Sequence, residues 1–125
     1  MPNQFIREEF SLPEGAYAVL FLSERSLDQP DYDRMDDATM HTVEGLPGYL
    51  GYEMVRQGES AIFISYWQDR AAVDAWKHHA LHREAKANGR AVWYDAYRSV
   101  VCRVEESSVF RRDASLPRPC VTFAS

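Results

Sequence analysis

The chain is poor in the residues that staple, bridge or hold metals. Two cysteines, Cys102 and Cys120, among 125 residues are too few for a disulfide scaffold. They also form none of the short-spaced pairs of a structural zinc site. Free thiols in a reducing, cytoplasmic setting are the expectation. No apolar run approaches the ~18 residues of a membrane span, and the opening MPNQFIREEF lacks the apolar stretch of a signal peptide. Positive charge is scarce: 14 Lys and Arg against 19 Asp and Glu leave a formal net charge of -5. That argues against nucleic-acid binding, which needs clustered cations, and Arg111-Arg112 is too short a run to reverse it. The G-x-G-x-x-G, G-x-x-x-x-G-K-[ST], G-x-S-x-G and H-E-x-x-H motifs are all missing. What remains open is the chemistry of a small aromatic pocket with an imidazole.

What is present is concentrated. Residues 61–105 hold all three tryptophans (Trp67, Trp76, Trp93), three of the four histidines and three of the seven tyrosines. Rings at that density imply a lined cavity or a very aromatic core. The composition, 46% hydrophobic and 26% charged, is that of one globular domain able to build its core without staples.

Along the chain, residues 1–15 read as an arm closing in a Pro13–Gly15 turn, and residues 16–23 (AYAVLFLS) as a strand. A helix is predicted from Asp28, with Pro30, Asp31 and Asp33 suited to its first turn. Its apolar stripe is Tyr32, Met35, Thr39 and Val43, and Gly45 and Pro47-Gly48 stop it. Residues 49–57 and 61–67 form a hairpin around Gly58-Glu59-Ser60. Asp69 N-caps a second helix that ends near Gly89, residues 92–105 are the last strand, and 106–125 are a tail. In that last strand, strict alternation puts Trp93 and Tyr97 on one face and Tyr94 on the other.

This order predicts an α+β, ferredoxin-like βαββαβ domain over residues 16–105: a four-stranded antiparallel sheet with both helices on one face. Alternation predicts apolar residues on both faces. Tyr17, Val19 and Phe21 oppose Ala18, Leu20 and Leu22, while Ile62, Ile64 and Tyr66 oppose Ala61, Phe63 and Trp67. Helices cover one face; a second copy of the chain is the economical cover for the other, which predicts a homodimer.

Five short motifs then line up: P-G-Y-L-G (Pro47–Gly51), I-S-Y-W (Ile64–Trp67), A-W-K-x-H-x-x-H (Ala75–His82), G-R-x-x-W-Y-x-x-Y (Gly89–Tyr97) and V-x-R-V-E (Val101–Glu105). Their order and spacing resemble the antibiotic biosynthesis monooxygenase family of small dimeric α/β-barrel proteins. That family includes cofactor-independent oxygenases of polycyclic phenols, heme-degrading enzymes and quinol-directed oxygenases. The resemblance implies that Trp67 faces a substrate pocket. It disfavours heme degradation, because Lys86 stands where that branch has its axial histidine, and Ala18 and Leu20 where it has a first-strand asparagine. No cofactor is therefore expected. The polar partners of the polyketide-type oxygenases fall near Phe63, Val73 and Ala87, which are apolar here.

Each candidate carries two readings. Trp67 is either pocket wall or core. Trp76 shares a helical face with Ala72, Val73, Ala80 and Ala87, which favours packing on the sheet. Asp74, His78 and His82 recur at i, i+4 and i+8, but with no cysteine or further carboxylate beside them no metal site is expected. A kink at His79-Ala80 turns His82 towards a cavity mouth, where a neutral imidazole can take a phenolic or enolic proton; otherwise His82 bonds a loop or a partner's backbone. Arg90 pairs with a first-helix carboxylate or with an anionic substrate. The expected site has His82 and Trp67 as catalytic residues, with Phe21, Met35, Phe63, Trp76, His79 and Arg90 around a small hydrophobic or aromatic molecule. Two functions follow: a cofactor-independent monooxygenase of an aromatic, phenolic or quinol-like substrate, or a non-catalytic dimeric module that binds a hydrophobic molecule or serves a pathway as an accessory.

Overall fold

Strand-forming residues at 17–25, 49–57, 60–67 and 94–103 pair into one antiparallel sheet. In a computed structural model, which describes residues 5–25, 43–79, 82, 86–87, 94–113, 115–116 and 119, the elements are β1 (Tyr17–Arg25), β2 (Tyr49–Gln57), β3 (Ser60–Trp67), helix α1 (Arg70–Lys77) and β4 (Tyr94–Arg103). The sheet order is β2-β3-β1-β4, the ferredoxin-like arrangement. The helix expected from Asp28 lies outside the described residues except for Val43 and Glu44, which are helical. Leu46 N–H closes on the Val43 carbonyl at 3.0 Å just beyond them.

The register sorts the side chains of the helix-facing side into rows across the sheet. The first is Tyr49, Trp67, Tyr17 and Arg103; the second Tyr52, Ser65, Val19 and Val101; the third Met54, Phe63, Phe21 and Ser99; the fourth Arg56, Ala61, Ser23 and Tyr97. Two register shifts break the simple alternation. Between Tyr49 and Gly51 the extra residue lets Tyr49 and Tyr52 share a face. At Glu24/Arg25 the partners jump from Ala96 to Tyr94, which brings Tyr94 to the same face as Tyr97. Tyr94 and Tyr97 accordingly both meet the Phe21 ring at 5.3 Å, where strict alternation would separate them.

Helix α1 lies over the first two rows. Asp69, extended at φ -157°, accepts from Ala72 N–H at 2.8 Å and starts it, a cap worth ~1 kcal/mol. Val73 and Trp76 then face inward and close a core with Val43 and Trp67. Two glycines of P-G-Y-L-G are needed for close approach. Gly48 has φ +84°, and a Cβ there would stand 2.6 Å from the Ala72 Cβ on α1. Its carbonyl also accepts Gln68 N–H at 2.7 Å, tying the turn to the start of the helix. A Cβ on Gly51 would collide with the Phe10 ring.

The opposite face is apolar as expected: Ala18 is buried, Leu20, Leu22, Ile64 and Val100 are half-buried, and Ile62 and Val55 are exposed. The chain covers part of this face itself. Phe10 packs on Tyr66 at 5.4 Å, and Glu53 accepts both the Tyr66 hydroxyl (2.6 Å) and Arg7 N–H (3.0 Å). Arg111 ties the tail to this arm through the Ile6 carbonyl (2.7 Å) and Glu8 (3.0 Å). Cys102 is a free thiol, while Cys120 lies outside the described residues. Among the described residues, no helix is long and apolar enough to cross a membrane.

Gly48→Ala should therefore cost more than a positive-φ penalty alone. Gly58, at φ +60° with open space for 4 Å around the point a Cβ would occupy, provides the reference: Gly58→Ala should lose about 1–2 kcal/mol by left-handed backbone strain. Gly48→Ala should lose roughly 1–3 kcal/mol beyond that, because Ala72 must also move. Urea denaturation of the two variants checks the difference; equal losses would refute the close packing of the turn on α1.

Candidate active site

Trp67 ends β3 beneath α1 and is 0% exposed. Its indole N–H would be an orphan donor in the core, and Ser65, two residues back on the same face and itself buried, accepts it at 3.0 Å. Tyr49 meets the Trp67 ring edge-on at 5.4 Å, and Trp76 stacks on it at 6.4 Å and 20°. Burial, with Tyr52 and Glu44 nearby, raises the Tyr49 phenol to about 12, so it remains a neutral donor. Trp67 is fully buried and stands behind the Trp76 ring.

The second helix does not run unbroken to Gly89. Helix α1 stops at Lys77 with His78 as its C-cap, and the turn tightens into a bond from His79 N–H to the Trp76 carbonyl at 3.0 Å. His82 is helical again beyond the break. Among the described residues the interruption falls at His78 and His79, beside the expected kink, whose Ala80 lies outside the described residues, and its consequence is geometric. In an unbroken helix, at about 100° per residue, positions six apart point roughly 120° away from each other. Here the His82 ring meets Trp76 edge-on at 4.7 Å, and the His79 ring lies 5.7 Å from the same indole. The break also takes His82 off the face it would share with Asp74 and His78. Asp74 instead accepts from Arg70 at 3.1 Å. Among the described residues no three His, Cys, Asp or Glu side chains come together as a metal-holding group.

His82 is half-buried, and its basicity follows. Loss of hydration, then the positive charges of Lys86 and Lys77 and the neighbouring His79, lower it to about 4. It is a neutral imidazole at neutral pH, able to accept a proton or a hydrogen bond. Lys86, the residue at the axial-histidine position of the heme-degrading branch, is exposed.

Phe21 and Phe63 are register partners two rows from Trp67. Around them gather rings that alternation alone does not assign to this face. Tyr52 stacks on Phe63 at 5.3 Å and 24°, and Tyr94 and Tyr97 meet Phe21 edge-on. The structure thus brings Trp67, Trp76, His79 and His82 into one cluster, and Phe21 and Phe63 into a second aromatic row farther along the same face. Met35 and Arg90 lie outside the described residues, as does Trp93. Tyr52, Tyr94 and Arg56 are additions to the face; the bulges hide the first two, and Arg56 follows from its alternation with Tyr52 and Met54.

An antibiotic biosynthesis monooxygenase family model matches residues 33–88, the stretch holding Trp67, Trp76, His79 and His82. A curated relative, the uncharacterized protein YqjZ of Bacillus subtilis (strain 168), is 34% identical over 100 residues, covering 79% of this chain and 88% of its own length. The chain belongs to the antibiotic biosynthesis monooxygenase family. Solved structures share the fold of this family member. Rv0793 of Mycobacterium tuberculosis superposes with a TM-score of 0.64 at 16% identity, covering 75% of this chain and all (100%) of that one. SnoaB, a cofactor-independent oxygenase from Streptomyces nogalater, superposes with a TM-score of 0.62 at 11% identity, covering 74% and 96% of the two chains.

The His82 titration is directly measurable in this family member. Its imidazole NMR resonances should move with a midpoint near pH 4, and Lys86→Met should raise the midpoint while leaving it below the ordinary ~6.5, because burial is the larger cause. The sign for stability follows. Above pH ~6.5 both folded and unfolded chains hold His82 neutral; between there and about 4 only the unfolded chain takes the proton, so this contribution falls as pH falls. An ordinary midpoint would refute the packing of His82 on Trp76.

Proposed function

We propose that the protein is a small monooxygenase that works without a bound metal or flavin on an aromatic, phenolic or quinol-like substrate. Family membership supports the reaction class, and SnoaB, a cofactor-independent oxygenase, shares the fold. The observation that carries the reading is His82, held neutral against Trp76 by a break in the helix, on the same side of the sheet as a row of rings.

In this reading the substrate lies on the helix-facing side of the sheet against Phe21, Phe63 and Trp76, with Met35, His79 and Arg90 as further contacts. Trp67 positions Trp76 from behind, and His82 accepts the proton. A base of such low proton affinity gains it when the substrate becomes an anion beside it, since imidazolium and phenolate or enolate then stabilise each other. The deprotonated substrate supplies the electrons for oxygen. A CH₂ carbon next to the ring system gains a peroxide, which loses water and leaves a carbonyl, so one O₂ yields one C=O and one H₂O.

Oxygen consumption with a panel of anthrones, hydroquinones and polyphenols tests this. An active substrate should lose about 10²–10⁴-fold in turnover on His82→Ala, the usual worth of a general base, with the fold intact by circular dichroism. Unchanged turnover would remove His82 from the reaction. A second reading, a non-catalytic module that binds a hydrophobic molecule, draws on the complete burial of Trp67; ligand binding with no oxygen uptake across the panel would favour it.

The apolar outer face belongs to the same proposal. A second copy packed sheet to sheet over Leu20, Leu22, Ile62 and Val100 makes a homodimer, with an interface at or above the ~1,600 Å² of standard complexes. Ile62 is 41% exposed in the single chain, so Ile62→Asp should leave the protomer folded and shift light-scattering mass to the monomer. A wild-type monomer at micromolar concentration would refute the dimer.

A further inference from the structure

The outer face of the sheet is smaller than a stable dimer needs. Phe10 of the N-terminal arm lies over its first row, against Tyr66 and Gly51, and Arg7 N–H reaches Glu53 in the second. The apolar side chains that remain stand in two rows: Ile64, Leu20 and Val100, then Val55, Ile62 and Leu22. Four strands wide, two rows give a flat footprint of roughly 250 Å², and the polar row of Gln57, Ser60, Glu24 and Ala96 brings it to about 400 Å². A standard interface takes about 800 Å² from each partner. The sheet by itself falls well short of that.

A strap beside this face carries further apolar surface. The tail leaves the sheet where Val104 N–H bonds the Ala16 carbonyl at 2.8 Å, and every residue from Glu105 to Asp113 is exposed. Arg111 then fastens the tail to the arm through the Ile6 carbonyl (2.7 Å) and Glu8 (3.0 Å). The fastening joins the two segments next to four exposed apolar side chains. These are Phe5 and Ile6 on the arm, and Val109 and Phe110 on the tail, with Phe110 at 79%. Single exposed apolar residues are ordinary, but four on one fastened strap make a patch of the kind that marks a contact site.

We infer that the strap is part of the interface between two copies of this chain, with Val109 and Phe110 resting on the second copy that covers Leu22 and Ile62. The inference rests on the homodimer reading above and adds to it the surface that the sheet lacks. Two-fold symmetry uses the strap twice, since each copy presents the same patch to the other. The bonds from Arg111 to the arm hold the strap in place beforehand, so less freedom is lost on association.

The test is sedimentation equilibrium of the full chain, wild type against Phe110→Asp and Phe110→Leu. Phe110 is in water in the single chain, so Phe110→Asp should leave the circular dichroism unchanged. It should raise the dimer dissociation constant about tenfold or more, because the new carboxylate is buried without a partner between the copies. Phe110→Leu, which keeps the apolar contact, should stay close to the wild-type value. A wild-type dimer that Phe110→Asp does not weaken overturns the inference and leaves the sheet-to-sheet dimer standing; the strap then faces solvent or a different protein. A wild-type monomer overturns both. Should Phe110→Asp not fold, Phe110→Ser decides on the same criterion.

Discussion

The stack of Trp76 on Trp67 sets the geometry of everything around it. Two indoles have to be buried between one short helix and the end of one strand, and each neighbouring feature makes room for them. Ser65 satisfies the only polar atom of the inner ring. Gly48 lets the preceding turn press onto Ala72, which seats the first turn of α1 where Val73 and Trp76 reach the sheet. Asp69 starts that helix at the one register that sends both inward. The helix then ends at Lys77, one residue past Trp76, and His79 and His82 close on that ring. Protein interiors tolerate little slack, so moving either indole would displace the whole chain of contacts down to the imidazole.

Most of this architecture is legible in the residues. Alternating apolar strands, the Gly58 hairpin, Asp69 as a cap and the kink near His79 all correspond to local physics: pleat, turn conformation and capping. What alternation cannot anticipate is where it is broken. The irregularity at Glu24/Arg25 is invisible in a string of residues, because an extra residue in a strand carries no fixed signature unless a glycine marks it. The Gly51 that stands at the Tyr49/Gly51 irregularity marks a bulge without saying which side chains it brings to one face. Parity separates Tyr52 from Tyr49 and Tyr94 from Tyr97, and the structure puts each pair on one face. The long-range fits of Gly48 to Ala72 and Gly51 to Phe10 belong to the same class, since each depends on a contact between distant parts of the chain. The likeness to known proteins adds the expectation of a pocket role for Trp67, and the complete burial of that residue beneath Trp76 is a tertiary feature that the sequence does not display.

The helix-facing side of the sheet therefore has two unlike ends. At one, the Trp67 cluster is packed tight and carries a neutral imidazole at its margin. At the other, rings stand in a half-buried row, with Tyr52 stacked on Phe63. The two ends of this face therefore differ in packing: one is a buried core cluster, the other a row of half-buried rings. His82 is neutral and flanked by Lys77 and Lys86, charges that in the proposed reaction would stabilise an anion formed beside it. The lysines that weaken His82 as a free base are the charges that would hold the anion it creates, so its low proton affinity in the empty protein does not argue against a role as base. It is what an environment built for the deprotonated substrate would look like before the substrate arrives.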